Sequence, residues 1–200
     1  MIEVEKKFLF SKKQIRDISE KFKFFGEETI VDVYYDTEKY NLTKNDIWLR
    51  NRNGDFQLKI PAHLEDNKKH FNKYQEIEGE EKIRQIFSIA PMGSFEQDIH
   101  RFGYKIFCRC RTVRKKYKKD DISIDLDEVF FDDFSYALGE FEIMVENKKD
   151  MEKAVEKIEN FAKENNLEMA PVRGKVIEYL KRKKPEHYQE LLKSGVVLEE

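Results

Sequence analysis

Apolar and polar positions alternate along much of the chain, and the alternation divides it into strand-length pieces. Residues 2–9 alternate with period two and predict a first strand. Ser11 stands where a helix N-cap belongs, and Ile15, Ile18 and Phe22 then recur at helical spacing to about Phe24. Strand patterns return at 29–35, 47–52, 56–60 and 72–77, with the hairpin dipeptide Asn53-Gly54 between the middle two. A short helix is expected within 88–101, and further strands at 104–117, 122–129 and 137–145. Asp150 is placed to cap a helix whose Ala154, Val155, Ile158, Phe161 and Ala162 form one stripe. A last helical region spans about 174–192, interrupted by Pro185. Eight largely consecutive strands with few helices predict an α+β protein of one domain: a closed antiparallel barrel with helices packed outside.

The polar faces of these strands carry the chemistry. Residues two apart share a face. Glu3, Glu5 and Lys7 therefore point together, as do Trp48, Arg50 and Arg52, Gln57 and Lys59, Asp125 and Asp127, and Glu140 and Glu142. One charged face is ordinarily a solvated face. Here the opposite faces are apolar enough to need covering, and the amphipathic helices can cover them. The barrel is thus expected to be inverted, with a charged interior.

Buried charge is costly unless it is paired or holds ions. A polyanion with a divalent metal would satisfy that requirement. Lys7, Arg50, Arg52, Lys59 and Arg114 supply cations for phosphate oxygens, and arginine can grip them bidentately. Glu3, Glu5, Asp125, Glu140 and Glu142 supply hard oxygen ligands of the kind Mg2+ takes.

Composition narrows the reading. Charged residues make up 39% of the chain, yet 38 basic and 40 acidic residues nearly cancel to a net charge of −2. That balance speaks against a nucleic-acid footprint, which needs a basic excess on one face. Cys108 and Cys110, the only cysteines, are expected to be reduced strand thiols. No apolar run approaches the length of a membrane span, and the N-terminus has no signal-like apolar core. A cytoplasmic, monomeric protein acting on a small molecule, away from membrane and nucleic acid, is expected. His63, His70, His100 and His187 show no ligand spacing.

Glu3-x-Glu5-x-Lys7 at the N-terminus, Tyr34-Tyr35-Asp36-Thr37, Trp48-Leu49-Arg50, Leu58-Lys59-Ile60-Pro61, Asp125-Leu126-Asp127, Tyr136-Ala137-Leu138-Gly139-Glu140-Phe141-Glu142 and Lys175-Val176-Ile177-Glu178-Tyr179-Leu180 follow one another in that order. In this the chain resembles the CYTH superfamily, the triphosphate tunnel metalloenzymes, over nearly its full length. The tail Pro185-x-x-Tyr188-Gln189 leans toward the superfamily's thiamine-triphosphate-hydrolysing branch.

The resemblance implies triphosphate binding by Arg50, Arg52, Lys59, Arg114 and Lys175, and a metal-binding side made of Glu3, Glu5, Glu76, Asp125, Glu140 and Glu142. It also implies that Lys7 and Tyr34 act as a pair helping to activate water. Two positions depart from the family pattern: Asn51 replaces an arginine, and Phe56-Gln57 stands for Trp-Glu. By parity Asn51 points outward, whereas Gln57 points inward and removes a carboxylate.

Trp48 shares a face with Arg50 and Arg52, so its ring could stack on the thiazolium cation of thiamine, worth about 0.5–2 kcal/mol. The expected reaction is Mg2+-dependent hydrolysis of thiamine triphosphate. The rivals are an inorganic triphosphatase, a CYTH adenylyl cyclase and a non-catalytic polyphosphate-binding module.

Overall fold

Ser11 opens a helix, as its position predicts: its hydroxyl accepts from the Gln14 amide, and Gln14 reaches back to complete a capping box. The computed structural model describes residues 1–62 and 72–197; His63 and His70 lie outside the described residues. Its strands are β1 (Ile2–Phe8), β2 (Lys23–Asp36), β3 (Trp48–Arg52), β4 (Asp55–Pro61), β5 (Asn72–Glu78), β6 (Lys105–Lys119), β7 (Ile122–Phe130) and β8 (Ser135–Val145). Its helices are α1 (Lys12–Lys21), α2 (Glu80–Phe87), α3 (Phe95–Arg101), α4 (Met151–Glu164), α5 (Lys175–Lys183) and α6 (Pro185–Lys193). The strands close in the order β1-β5-β4-β3-β2-β6-β7-β8, the eight-stranded closed barrel expected from the alternation.

Three local expectations are corrected, and one helix was not foreseen. The helix expected within 88–101 is α3, and what the pattern did not mark is α2 just before that range. Ser88 is a left-handed C-cap that stops α2, and α3 starts from Ser94, whose capping box includes Gln97. The first helix stops at Lys21 rather than near Phe24, and β2 begins at Lys23 rather than at 29. Asp150 makes no side-chain cap; a 3-10 turn over Lys148–Asp150 leads into α4 instead.

The chain divides into two compact units. The first comprises 1–30, 61–75 and 111–175. In it, Val4, Phe8, Ile124, Phe141 and Ile143 form an apolar strand face under Ile18 of α1 and Met151, Val155, Ile158 and Phe161 of α4. The alternation then turns Glu3, Glu5, Asp125 and Glu140 to the opposite, interior face. Lys6 interrupts the apolar face, fully buried, its ammonium 5.5 Å from the Phe8 ring centre. Gly139 is required on β8. A methyl there would collide with the Phe10 ring and stand 3.1 Å from the Asp125 carbonyl. The bare backbone lets Phe10 lie across the strand against Phe141, at 5.9 Å between ring centres.

The second unit comprises 31–60, 76–110 and 176–200, of which 198–200 lie outside the described residues. Val33, Tyr35, Leu49, Phe56 and Leu58 pack beneath Ile83 of α2 and Phe95 and Ile99 of α3. Asn53 and Gly54 both take positive φ, 51° and 102°, as a tight β3–β4 hairpin demands.

Within this unit α6 docks through His187. Its Nε2 lies 2.7 Å from Thr43 Oγ1, and its ring stacks on Tyr40 at 3.8 Å. Burial pushes the His187 pKa down to about 4; Asp36 works against this, while Lys184 and Lys44 reinforce it. An unfolded histidine titrates near 6.5. As pH falls from about 6.5 toward 4 the unfolded chain takes up a proton the native chain refuses, so stability is lost across that window, by up to about 3 kcal/mol. Urea midpoints at neutral pH and near pH 4.5 should therefore converge in His187→Gln relative to wild type. Parallel losses in the two proteins would clear His187 of this role.

Candidate active site

The first unit holds a ladder of charge on β1, β7 and β8. Register places Glu5 opposite Glu142 and Lys7 opposite Glu140 across β1–β8, and Asp125 opposite Glu140 across β7–β8. The Lys7 ammonium donates to Glu5 and lies 3.4 Å from Glu140. Arg114 on β6 grips Asp127 through two parallel bonds of 2.7 and 2.6 Å. It also pairs with Asp125 and lies 3.2 Å from Glu140. Glu3 completes the set, buried and near enough to help hold the Lys7 charge. Lys175, at the start of α5, donates to Thr112 Oγ1 at 3.1 Å.

The electrostatics of this ladder follow from burial. Burial alone would lower the Lys7 pKa, but Glu5, Glu140 and Glu3 outweigh it and raise it above the usual lysine value. Lys7 therefore carries its proton at neutral pH. Burial pushes Asp125 up to about 6; Arg114 opposes the shift and Glu140 adds to it. Burial thus outweighs the charged neighbours, among which Arg114 counts for more than Glu140.

The second unit holds a cluster of paired cations and acids. Arg50 donates Nε to Gln57 at 2.8 Å and Nη2 to Glu76 at 2.9 Å, and Lys59 lies 3.3 Å from the same Glu76 oxygen. Gln57 in turn donates to Glu78 at 3.1 Å, a bond that an ionised glutamate at 57 could not make. Arg52 is bidentate on Asp32 at 2.8 and 3.2 Å. Tyr34 lies opposite Arg50, and burial, then Asp32, raises its pKa well above the ordinary phenol value, so it too keeps its proton. Trp48, opposite Lys59, fixes its indole by donating to Asp46 at 2.8 Å.

The sequence-derived candidates therefore fall into two groups. Glu3, Glu5, Lys7, Arg114, Asp125, Glu140, Glu142 and Lys175 stand in the first unit, and Tyr34, Trp48, Arg50, Arg52, Lys59 and Glu76 in the second. Glu76, expected on the metal side, sits between Arg50 and Lys59. Asp32 and Asp127, the bidentate partners of Arg52 and Arg114, were not among the candidates. Their faces were readable, since Asp32 shares parity with Tyr34, and Asp127 with Asp125; their partners depend on cross-strand register.

Among the described residues no three carboxylate, histidine or cysteine side chains converge as a ready metal cage. The reason is visible: Lys7 and Arg114 stand between the acids. The donor set nevertheless suits a hard cation, because Mg2+ keeps several waters and needs only one or two carboxylates. A cation beside Asp125 would offset the burial that pushes its carboxyl up.

The CYTH domain model matches residues 1–172. The chain belongs to the CYTH family. Human thiamine-triphosphatase is 28% identical over 214 residues, an alignment that covers 96% of this CYTH chain and 90% of the human protein. The Macaca fascicularis thiamine-triphosphatase aligns with the same identity and coverage. Among solved structures, a protein of Pyrococcus horikoshii OT3 superposes with a TM-score of 0.67 at 26% identity, covering 90% of this chain and 99% of that one. A Hippeastrum protein described as having a dominant triphosphatase activity shares the fold, with a TM-score of 0.58 at 18% identity over 88% of this chain and 94% of its own. No helix among the described residues is long and apolar enough to cross a membrane.

Proposed function

We propose that this CYTH protein is a Mg2+-dependent triphosphatase that hydrolyses thiamine triphosphate to thiamine diphosphate and phosphate. The observation that carries the reading is the first unit's ladder, in which the carboxylates Glu3, Glu5, Asp125, Asp127 and Glu140 stand against the two cations Lys7 and Arg114. The thiamine-triphosphatase relatives support the choice of substrate.

Glu3, Glu5, Asp125, Glu140 and Glu142 would hold the cation, which when bound neutralises charge on the transferring phosphoryl group. Arg50, Arg52, Lys59, Arg114 and Lys175 bind phosphate oxygens, the arginines bidentately. Lys7 and Tyr34 both retain their protons, so they serve by donating to the reacting oxygens and orienting water, not by accepting a proton. Trp48, its ring held by Asp46, presents a π face to the thiazolium cation.

Phosphate release from thiamine triphosphate, inorganic triphosphate and ATP, each with Mg2+ and with excess chelator, tests the reading. The expected result is a kcat/KM highest for thiamine triphosphate and abolished by chelator. Undiminished turnover in chelator would sink the metal assignment, and cyclic AMP from ATP would move the protein to the cyclase class. Trp48→Ala should weaken thiamine triphosphate use about tenfold, the loss of roughly 1.4 kcal/mol of stacking and burial, and leave inorganic triphosphate nearly unaffected. An equal loss on both substrates makes Trp48 a packing residue.

A further inference from the structure

We propose that Gly174 is a positioning residue for the Lys7 ammonium, a role that rests on the assignment of Lys7 given above. The segment before α5 runs across the first unit as a strap. Tyr136 donates its hydroxyl to the Arg173 carbonyl at 2.9 Å, and Lys175 donates to Thr112 Oγ1 at 3.1 Å. Between these two anchors Gly174 lies on the Lys7 side chain. A methyl at 174 would stand 3.1 Å from Lys7 Cε and 3.6 Å from Cδ.

The first of those separations is tighter than the roughly 3.5–4.0 Å optimum for two carbons. Something must give by a few tenths of an ångström, and the strap is the poorer candidate because it is pinned on both sides. The push arrives at Cε, one bond from the nitrogen, so what moves is the ammonium itself. That ammonium is held between Glu5 and Glu140. A displacement there alters the aim of its remaining donor without removing it.

Gly174 is not needed for backbone conformation. Its φ lies outside the left-handed region, unlike those of Gly54, Gly79 and Gly103. Alanine at 174 thus meets no backbone strain, and its effect reports on the Lys7 contact alone. The strap couples two functions through one short run of chain: it delivers Lys175 to Thr112 and fixes Lys7 against its acids.

The test is a four-protein comparison of wild type, Gly174→Ala, Lys7→Ala and the double variant, with thiamine triphosphate and Mg2+. Gly174→Ala should lower kcat about tenfold through misplacement of a catalytic group, with KM held within about twofold. In the Lys7→Ala background the space above Gly174 is open, so adding Gly174→Ala should change neither kcat nor the thermal midpoint. Any drop in midpoint caused by Gly174→Ala alone should likewise vanish in the double variant. A wild-type kcat in Gly174→Ala, or a loss of kcat or midpoint that persists without the Lys7 side chain, overturns the positioning role. If Lys7→Ala itself turns over normally, the assignment of Lys7 fails first. An impaired Lys7→Ala beside an unimpaired Gly174→Ala rejects the inference alone.

Discussion

Arg114→Ala should unfold at markedly lower denaturant than wild type, losing about 3–5 kcal/mol, the usual consequence of removing one partner from a buried ion network. The guanidinium touches three acids, Asp125, Asp127 and Glu140, and both Asp125 and Asp127 are buried. Without it, Asp127 loses both bonds of its bidentate grip, and Asp125, already pushed up to about 6, loses the strongest influence holding it down. For a chain of this size the loss corresponds to a fall of roughly 10 °C in Tm. Millimolar Mg2+ should recover more stability in Arg114→Ala than in wild type, since the freed acids become available to it. A loss below about 1 kcal/mol would mean that the acids are solvated or protonated once the arginine is gone.

Lys7→Ala should lower kcat by about 10²–10³-fold, the range seen when one preorganised donor to a developing charge is removed. KM should move far less, because Arg50, Arg52 and Lys59 lie in the other cluster and remain. Tyr34→Phe should act in the same direction by a smaller factor, since it deletes a neutral donor. Both groups are held protonated, Lys7 by Glu5 and Glu140 and Tyr34 by burial and Asp32. The lost rate should therefore be the same fraction at every pH between about 6 and 9, with no new titration appearing. Steady-state kinetics across that range provide the check; a pure KM effect would move Lys7 from chemistry to binding.

Much of this arrangement was legible in the chain. Alternation in β1, broken only at Lys6, and in β7 assigned Glu3, Glu5 and Asp125 to one face and Val4, Phe8 and Ile124 to the other, and the burial of both sets bears this out. The turn chemistry of Asn53-Gly54 gave away the β3–β4 hairpin. Other features were not legible, for reasons that are physical. Ser88 and Ser94 are both plausible helix caps, and only the backbone decides that the first ends α2 while the second begins α3. The first half of β2 carries exposed Phe24 and Phe25, so no hydrophobic alternation marks it as a strand. Most instructive are Asp32 and Asp127. An acid sharing a face with arginines can bind a metal or pair with one of them, and the choice is made by cross-strand register, which composition does not encode.

The paired state of the first unit's cations has a thermodynamic consequence. Lys7 and Arg114 are already committed to Glu5, Asp125, Asp127 and Glu140. A phosphate that recruits either cation must take it from an acid, and an acid so released is a better ligand for a divalent ion. The converse holds equally: an ion that occupies the acids frees the cations for phosphate. Under the proposed reaction, polyanion and metal would then be heterotropic partners, each raising the other's affinity by the same factor. Neither alone would meet a fully receptive site, so a protein working in this way would discriminate against stray phosphate and stray cations and respond to the two arriving together.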